Sequence, residues 1–449
     1  MGESILDIAE VTVKQAEKLG AQQAEVYISS SRSFSIDVEN SSIKSATEKR
    51  DAGCGIRTVV DKRIGFAYVT TLLEEDIKEA VEKSVKLAKA SVADPEFVTL
   101  PSFEASYPSV YSLYDPAIHE LSSEKAAELV SRTVDSAKEA VKGLKVAVEA
   151  QLTASSSTRA ISNSLGIAGT AKSTSIFIYS YPTVKTEDDQ NSSFEYQVLR
   201  QLAGLDPEMI GTNAGTNAVK NLGGKTIEGG DLPVVMAPLA IGTVLGGGFG
   251  GAVNAEEVQY GRSYISDAFG EEIASQELQI TDDGLLAGGI GSRPFDAEGV
   301  PSQKTVILEK GVLKSLLHNS YTANKVEVDN TGNASRPSYS GIPNIATSNL
   351  VISKGTGTVE DLISEIEKGV YMRTTWDRPN MTTGDLSAMV SEGFYIEGGE
   401  LKHSLKNTLV GINMKDLIQR VHRVAADVRA TTSVISPSLV VESAKVTSG

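Results

Sequence analysis

Cysteine is almost missing from this sequence: Cys54 stands alone among 449 residues. One thiol excludes an intrachain disulfide and any multi-thiolate zinc site. Histidine is scarce as well. His119, His318, His403 and His422 are scattered, with no H-E-x-x-H and no close pair that offers two metal ligands from one helix face. His119–Glu120 is the one His-Glu pair, with Glu124 next in line as a ligand. It follows Asp115–Pro116, which reads as a helix entry rather than a metal site. No G-x-S-x-G elbow occurs, and Cys54 in "GCGIR" has no histidine nearby in sequence. Nucleophilic serine or cysteine chemistry therefore has no signature, and Cys54 reads as a buried core residue. Positive charge is in deficit, 42 Lys and Arg against 58 Asp and Glu, for a net charge of −16. That balance argues against nucleic acid or an anionic membrane as a partner. No stretch approaches the ~18 consecutive apolar residues of a membrane span. The opening "MGESILDIAEVTVKQAEKLG" carries Glu3, Asp7 and Glu10 and lacks the apolar segment of a signal peptide. The expectation is a soluble, cytoplasmic protein.

The length predicts two domains. Ile5, Ile8, Ala9, Thr12, Ala16 and Leu19 recur at helical spacing, and Gly20 stops that helix. Short alternating stretches follow, "AEVYIS", "SFSIDVEN", "GCGIRTVV" and "RIGFAYVT", a meander of antiparallel strands. A second helix opens at Glu74, Glu75 and Asp76, where acidic residues suit the helix dipole. The same order returns: helix "SSEKAAELVSRTVDSAKEAV", strand-like "KVAVEAQL", "RAISNSLGIAG", "TSIFIYSY" and "SFEYQVLRQ", then a helix from Asp206–Pro207–Glu208. Residues 1–225 thus read as a duplicated helix and antiparallel-strand domain, with halves of about 1–95 and 118–225. Residues 226–449 read as a β-rich domain with packed helices, the whole being α+β. In it "DLPVVMAP" is a buried strand, and hairpins turn at Glu309–Lys310–Gly311 and Glu397–Gly398–Gly399. Helical segments are expected near 358–368 and 413–425.

"LGGGFGGAVNAEE" puts five glycines between Gly246 and Gly251, broken only by Phe249. Gly246, Gly248 and Gly251 satisfy G-x-G-x-x-G, but "LAIGTVL" separates them from the preceding strand and no βαβ repeat surrounds them. A nucleotide site and a helix trimmed for close backbone packing both remain open. Gly224–Lys225–Thr226 ends like a P-loop, yet Val219 occupies the place of its first glycine. It reads as a helix C-cap and turn. The polar residues Arg293, Asp296, Asn333 and Arg336 crowd among the turn residues of "SRPFDAEGVP" and "TGNASR". They are candidates for a substrate channel, or else they satisfy buried backbone at tight turns.

Four stretches, "SRPFDAEGVPSQKTVILEKGVLKSLLHNSYTANK", "TGNASR", "TTGDLSAMVSEGFYIEGGELKHSLKNTLVGI" and "SPSLVVE", are similar in order to the TldD/PmbA family. Its members were named modulators of DNA gyrase and are regarded as proteolytic. In the TldD branch a zinc helix carries H-E-x-x-x-H, with a cysteine near the C-terminus resembling the third ligand. The PmbA branch, also called TldE, lacks that apparatus. Set against this pattern, Gly246 and Gly251 stand in place of the two histidines and Gly247 in place of the glutamate base, while "RATTSVISP" has no cysteine. The resemblance implies a TldE-like subunit without catalytic residues, metal ligands or cofactor of its own. It implies a TldD-type partner that supplies zinc and extended or unfolded peptides as substrate. A homodimer is the alternative assembly for the chain alone. A stand-alone ligand- or nucleotide-binding protein using the glycine run is the alternative function.

Overall fold

A computed structural model describes residues 4–103 and 106–449. Helix α1 (Ile5–Lys18) starts in a capping box, where Ser4 accepts from the Asp7 N–H and Asp7 accepts from the Ser4 N–H. Strands β1 (Gln23–Glu39), β2 (Ser42–Val60) and β3 (Arg63–Val69) form an antiparallel meander, and helix α2 (Glu74–Ala90) returns across it. After the short α3 (Pro116–His119), the pattern repeats with α4 (Ser123–Ala140), β4 (Lys145–Asn163) and β5 (Ala168–Lys185). Then come β6 (Gln190–Ser192), β7 (Glu195–Leu199) and α5 (Pro207–Lys220), which opens on an Asp206 cap as its sequence predicts. One seven-stranded sheet holds both repeats in the order β3-β2-β1-β4-β5, with β6 and β7 both along β5. The repeats meet where β1 pairs antiparallel with β4.

Two expectations are corrected here. "AEVYIS" and "SFSIDVEN" are one 17-residue strand, and "KVAVEAQL" runs on without a break through "RAISN" in a 19-residue strand. The serines that suggested turns lie instead in the middle of the sheet, with Ser31 opposite Ser157 and Ser33 opposite Ser155. The physical reason is a divided helix layer. Val26, Ile28 and Ala160 pack with α1 and α2, whereas Ile36, Val38 and Leu152 pack with α4 and α5. Between these cores the sheet carries small hydroxyl side chains, and the ladder of backbone hydrogen bonds does not need apolar ones.

In the second half, β8 (Gly230–Met236) is an interior strand of an eight-stranded sheet, between Lys368–Thr374 (parallel) and Leu439–Ser448 (antiparallel). A second, six-stranded sheet contains Ile280–Asp283, Lys304–Glu309, Leu350–Ile352 and Val434–Ser436. The two hairpins turn where expected: Lys310 and Gly311 sit at φ 50° and 81°, Gly398 and Gly399 at 60° and 75°. Such left-handed pairs match the twist of the strands they join. The helix near 358–368 is confined to Val359–Ser364, and that near 413–425 to Met414–Gln419. Residues 421–424 form a strand on Leu439–Ser448 instead. "VHRV" places Val421 and Val424 in the core, and β-branched residues suit that sheet edge better than a helix.

Between the two sheets runs a buried helical segment, Pro238–Ala252. Ala240, Ile241, Val244, Leu245, Phe249 and Ala252 have no exposed surface, and the segment touches strands of both sheets. The glycine run is part of this core helix.

Candidate functional site

The central stretch of the core helix, Gly242–Phe249, is a π-helix. Its wide turn closes i to i+5, and such turns cluster at functional positions. Gly246 lies within this stretch and Gly251 in the α-helical turn Gly250–Ala252 that follows it. What packs against these positions is specific. A Cβ on Gly246 would lie 2.5 Å from Cγ2 of Val434, and one on Gly251 2.9 Å from Cε of Met381. On Gly248 it would meet Cγ of Pro379 at 2.5 Å, and on Gly247 Nε of Arg378 at 3.3 Å. The glycines therefore let the segment 378–381 and the strand Val434–Ser436 settle onto the helix backbone.

Zinc requires imidazole, thiolate or carboxylate donors. The side chains around Gly246, Gly247 and Gly251 are a valine, a guanidinium and a thioether, so this place does not fit the ion. Among the described residues no group of three or more His, Cys, Asp or Glu is disposed to hold a metal. The nucleotide alternative meets a geometric objection too. The run lies inside a helix that begins at Pro238, not at the N-terminus where free N–H groups hold phosphate. Cys54 is fully buried in the first-half core, and burial pushes its thiol up to about 12. That makes it an inert core residue. His119 closes α3 and its Nδ1 lies 2.9 Å from Oγ of Ser156, on the helix side of the sheet.

Three of the four polar candidates share one cavity. Arg293, Asp296 and Arg336 line a space of about 180 Å³ between the seven-stranded sheet and the loops of the second half. Tyr27, Arg159 and Arg200 face it from the sheet, with Lys172 also lining it. Asn333 does not line it. It is buried behind, donating to Oδ2 of Asp282 at 2.7 Å and to the Ala346 carbonyl at 3.1 Å. Asp296 accepts three backbone N–H bonds, from Glu298, Val300 and Ala334. Burial still pushes its carboxyl up to about 7, with the Glu298 charge adding to the effect. Asp282 is raised to about 6 by burial, against the bonds from Asn333 and Ser348.

The arginines of the cavity differ in their partners. Arg336 pairs with Glu25, donates to the Ala297 carbonyl and lies over the Tyr27 ring. Arg200 reaches only carbonyls, those of Gly289, Thr174 and Ile290. Its burial and the nearby Arg159 guanidinium lower it to about 10. Arg293 donates to the Ala334 carbonyl at 3.1 Å, while its Nε is buried without a partner. Sequence reasoning found Arg293 and Arg336 but missed Arg159 and Arg200. Both lie in the first half, and only the chain's folding brings them to the second.

Beside the cavity a buried network ties the halves together. Arg57 donates to Glu25 at 2.6 Å and Glu298 at 2.9 Å, and Glu25 also holds Arg336. Farther along, Arg373 pairs with Glu195 and Glu392 at 2.8 and 2.6 Å, and Glu195 also takes Arg429.

Comparison with known proteins now bears on this architecture. Three PmbA/TldA metallopeptidase family models match in chain order: domain 1 at residues 24–88, the central domain at 116–222 and the C-terminal domain at 229–448. The chain is similar to an uncharacterized protein of Methanocaldococcus jannaschii, 27% identical over 438 residues and covering 96% of this chain and 98% of that one. It is likewise similar to the metalloprotease PmbA of Escherichia coli, at 25% identity over 451 residues, 98% of this chain and 96% of that protein. Among solved structures, TldE from Thermococcus kodakarensis superposes with a TM-score of 0.90 at 26% identity, covering 98% of this chain and 99% of that one. Sequence order, full-length coverage and the shared α+β fold lead to one assignment: the chain belongs to the PmbA/TldD family.

Proposed function

We propose that this chain is the TldE-like subunit of a zinc metalloprotease complex and carries no catalytic metal itself. The observation that supports this most directly is the packing around the core helix. The two positions that the family resemblance assigns to histidines, Gly246 and Gly251, lie in and just after the π-helical stretch. Val434 stands against Gly246, and it comes from the very stretch where the resemblance puts the third ligand. On this reading Val434 and Met381 pack where the metal's donors would stand. A TldD-type subunit would then supply the zinc, which activates a water for attack on the peptide bond. Extended or unfolded peptides are the substrate class, held by their backbone more than by side chains. Arg293, Asp296 and Arg336 line one cavity at the junction of the two halves, and Asn333 supports the loop from behind through Asp282.

The test is reconstitution. The purified chain should cleave no unfolded protein or peptide, with or without added zinc. Adding the TldD-type subunit from the same cell should give proteolysis that a chelator abolishes. Chelator-sensitive cleavage by this chain alone, after removal of contaminating proteases, would overturn the assignment.

A further inference from the structure

We propose that the cavity between the seven-stranded sheet and the 290–297 loop binds a small oxyanion, a carboxylate or a phosphate, through Arg159, Arg200 and Arg293. The proposal is independent of any protease partner, because every group it uses belongs to this chain.

Its basis is an imbalance of charge. Arg159, Arg200 and Arg293 line one cavity of about 180 Å³, room for a single small anion. Among the described residues none of the three is within ion-pair distance of a carboxylate, although 22 such pairs exist elsewhere. The acid that shares the cavity, Asp296, has its oxygens committed to backbone N–H groups. Burial also drives it toward the neutral form near pH 7. It opposes the downward shift of Arg293 but stands in ion-pair contact with none of the three arginines.

Like charges gathered in one cavity repel unless something of opposite sign joins them. Burial lowers Arg200 and Arg293, and Arg159 lowers both further, while Asp296 and Asp282 oppose the shift at Arg293. The buried, unpartnered Nε of Arg293 is a donor without an acceptor, and such groups in a folded protein call for an explanation. An oxyanion meets all these demands at once. Guanidinium groups match carboxylate and phosphate oxygens with paired N–H bonds, which an ammonium group does not. Donation from Arg200 to the carbonyls of Gly289, Thr174 and Ile290 fixes its fork beforehand, so little rotamer entropy is lost on binding.

Calorimetric titration of the full chain tests this with three probes: inorganic phosphate, N-acetyl-dialanine with a free carboxylate, and the same dipeptide as its C-terminal amide. The expected result is saturable one-to-one binding of phosphate or of the free acid, and none of the amide. Whichever of the first two binds identifies the source. Arg159→Gln, at an exposed side chain that the fold does not need, should weaken binding by roughly tenfold, the worth of one charge-assisted bond. Arg293→Met should weaken it further, and Arg262→Gln, at a distant surface pair with Glu257, should leave it unchanged. Absence of saturable binding by either anion up to about 10 mM would overturn the proposal. So would equal binding of acid and amide, or an Arg159→Gln variant that binds like the parent protein.

Discussion

At one point on the seam between the two halves, Arg57 and Arg336 meet Glu25 and Glu298. In the adjoining cavity, Arg200 and Arg293 donate to carbonyls, and Arg159 lines the same space. The first cluster is closed in charge, with two guanidiniums, two carboxylates, and the second oxygen of Glu298 taken up by the Ser320 N–H, though the Arg57 Nε is left without a partner among the described residues. Burial alone would raise the Glu25 carboxyl, but Arg336 and Arg57 outweigh it and hold it below its ordinary value. The second cluster is open: among the described residues none of its three arginines forms an ion pair. The contrast separates arginine as a tie between domains from arginine as a receptor, although both lie at the same interface. Composition cannot make this distinction, since it depends on which carboxylates the fold brings within reach.

The largest effect should come from breaking the closed cluster. Glu25→Ala leaves Arg57 and Arg336 buried without their shared partner, which costs about 3–5 kcal/mol for an interrupted buried pair. Urea unfolding should show the midpoint fall accordingly. Arg159→Gln in the open cluster should shift stability by less than about 0.5 kcal/mol, as an exposed side chain without a protein partner does. Equal losses in the two variants would erase the distinction between tie and receptor.

The glycine helix is closed in another way, by packing. Gly246→Ala would push a Cβ to 2.5 Å from the γ-methyl of Val434, and a β-branched side chain has little freedom to move aside. The strain should cost about 1–3 kcal/mol, outweighing the gain of up to about 1 kcal/mol from alanine's helix propensity. Val434→Ala alone leaves a small void. Combined with Gly246→Ala it should lose less stability than the two single losses together, the mark of side chains in contact. Strict additivity would mean that Val434 does not seal this face of the helix.

The repeated helix–strand–helix order, the Asp206 cap and both glycine-bearing hairpins were legible because each rests on neighbours in sequence. Hydrophobic period and turn chemistry are local signals. The long strands are hidden because Ser29–Ser33 and Ser155–Ser157 look like turns unless their pairing across the repeats is known. The strand at 421–424 reads as helix in sequence because its fate is set by Leu439–Ser448, which it joins. For the candidate site, Arg293, Asp296 and Arg336 stood out as polar residues among turn residues. Arg159 looked like any strand surface residue, and Arg200 like the end of a strand. Nothing local announces that a fold will bring three guanidiniums to one cavity without an ion pair for any of them among the described residues.

The last effect concerns pH, and it also tells the two clusters apart. Asp296 is carried from its ordinary 3.8 to about 7 by burial, and Asp282 to about 6. In the window between the ordinary and the raised values, the folded protein keeps protons that the unfolded chain has released. Stability from these two groups is therefore complete below about pH 4 and is lost as pH rises toward 7, by at most about 1.4 kcal/mol per pH unit for each group. Glu25 has the opposite sign: held below its ordinary value, it keeps its contribution through this window and loses it only in stronger acid. A decline in stability between pH 5 and 7 thus belongs to the open region. Asp296→Asn should flatten the upper part of that decline, above about pH 6, where Asp282 is already largely ionised. It should also lower stability at all pH values by about 1–3 kcal/mol, because the amide cannot accept from Glu298, Val300 and Ala334 together. Stability curves measured by urea unfolding across this range would show both effects. A curve for Asp296→Asn that is merely displaced, with its slope above pH 6 unchanged, would mean that Asp296 stays ionised in the folded protein. The cavity would then hold a full carboxylate for its arginines, and the contrast with the Glu25 cluster would narrow to geometry alone.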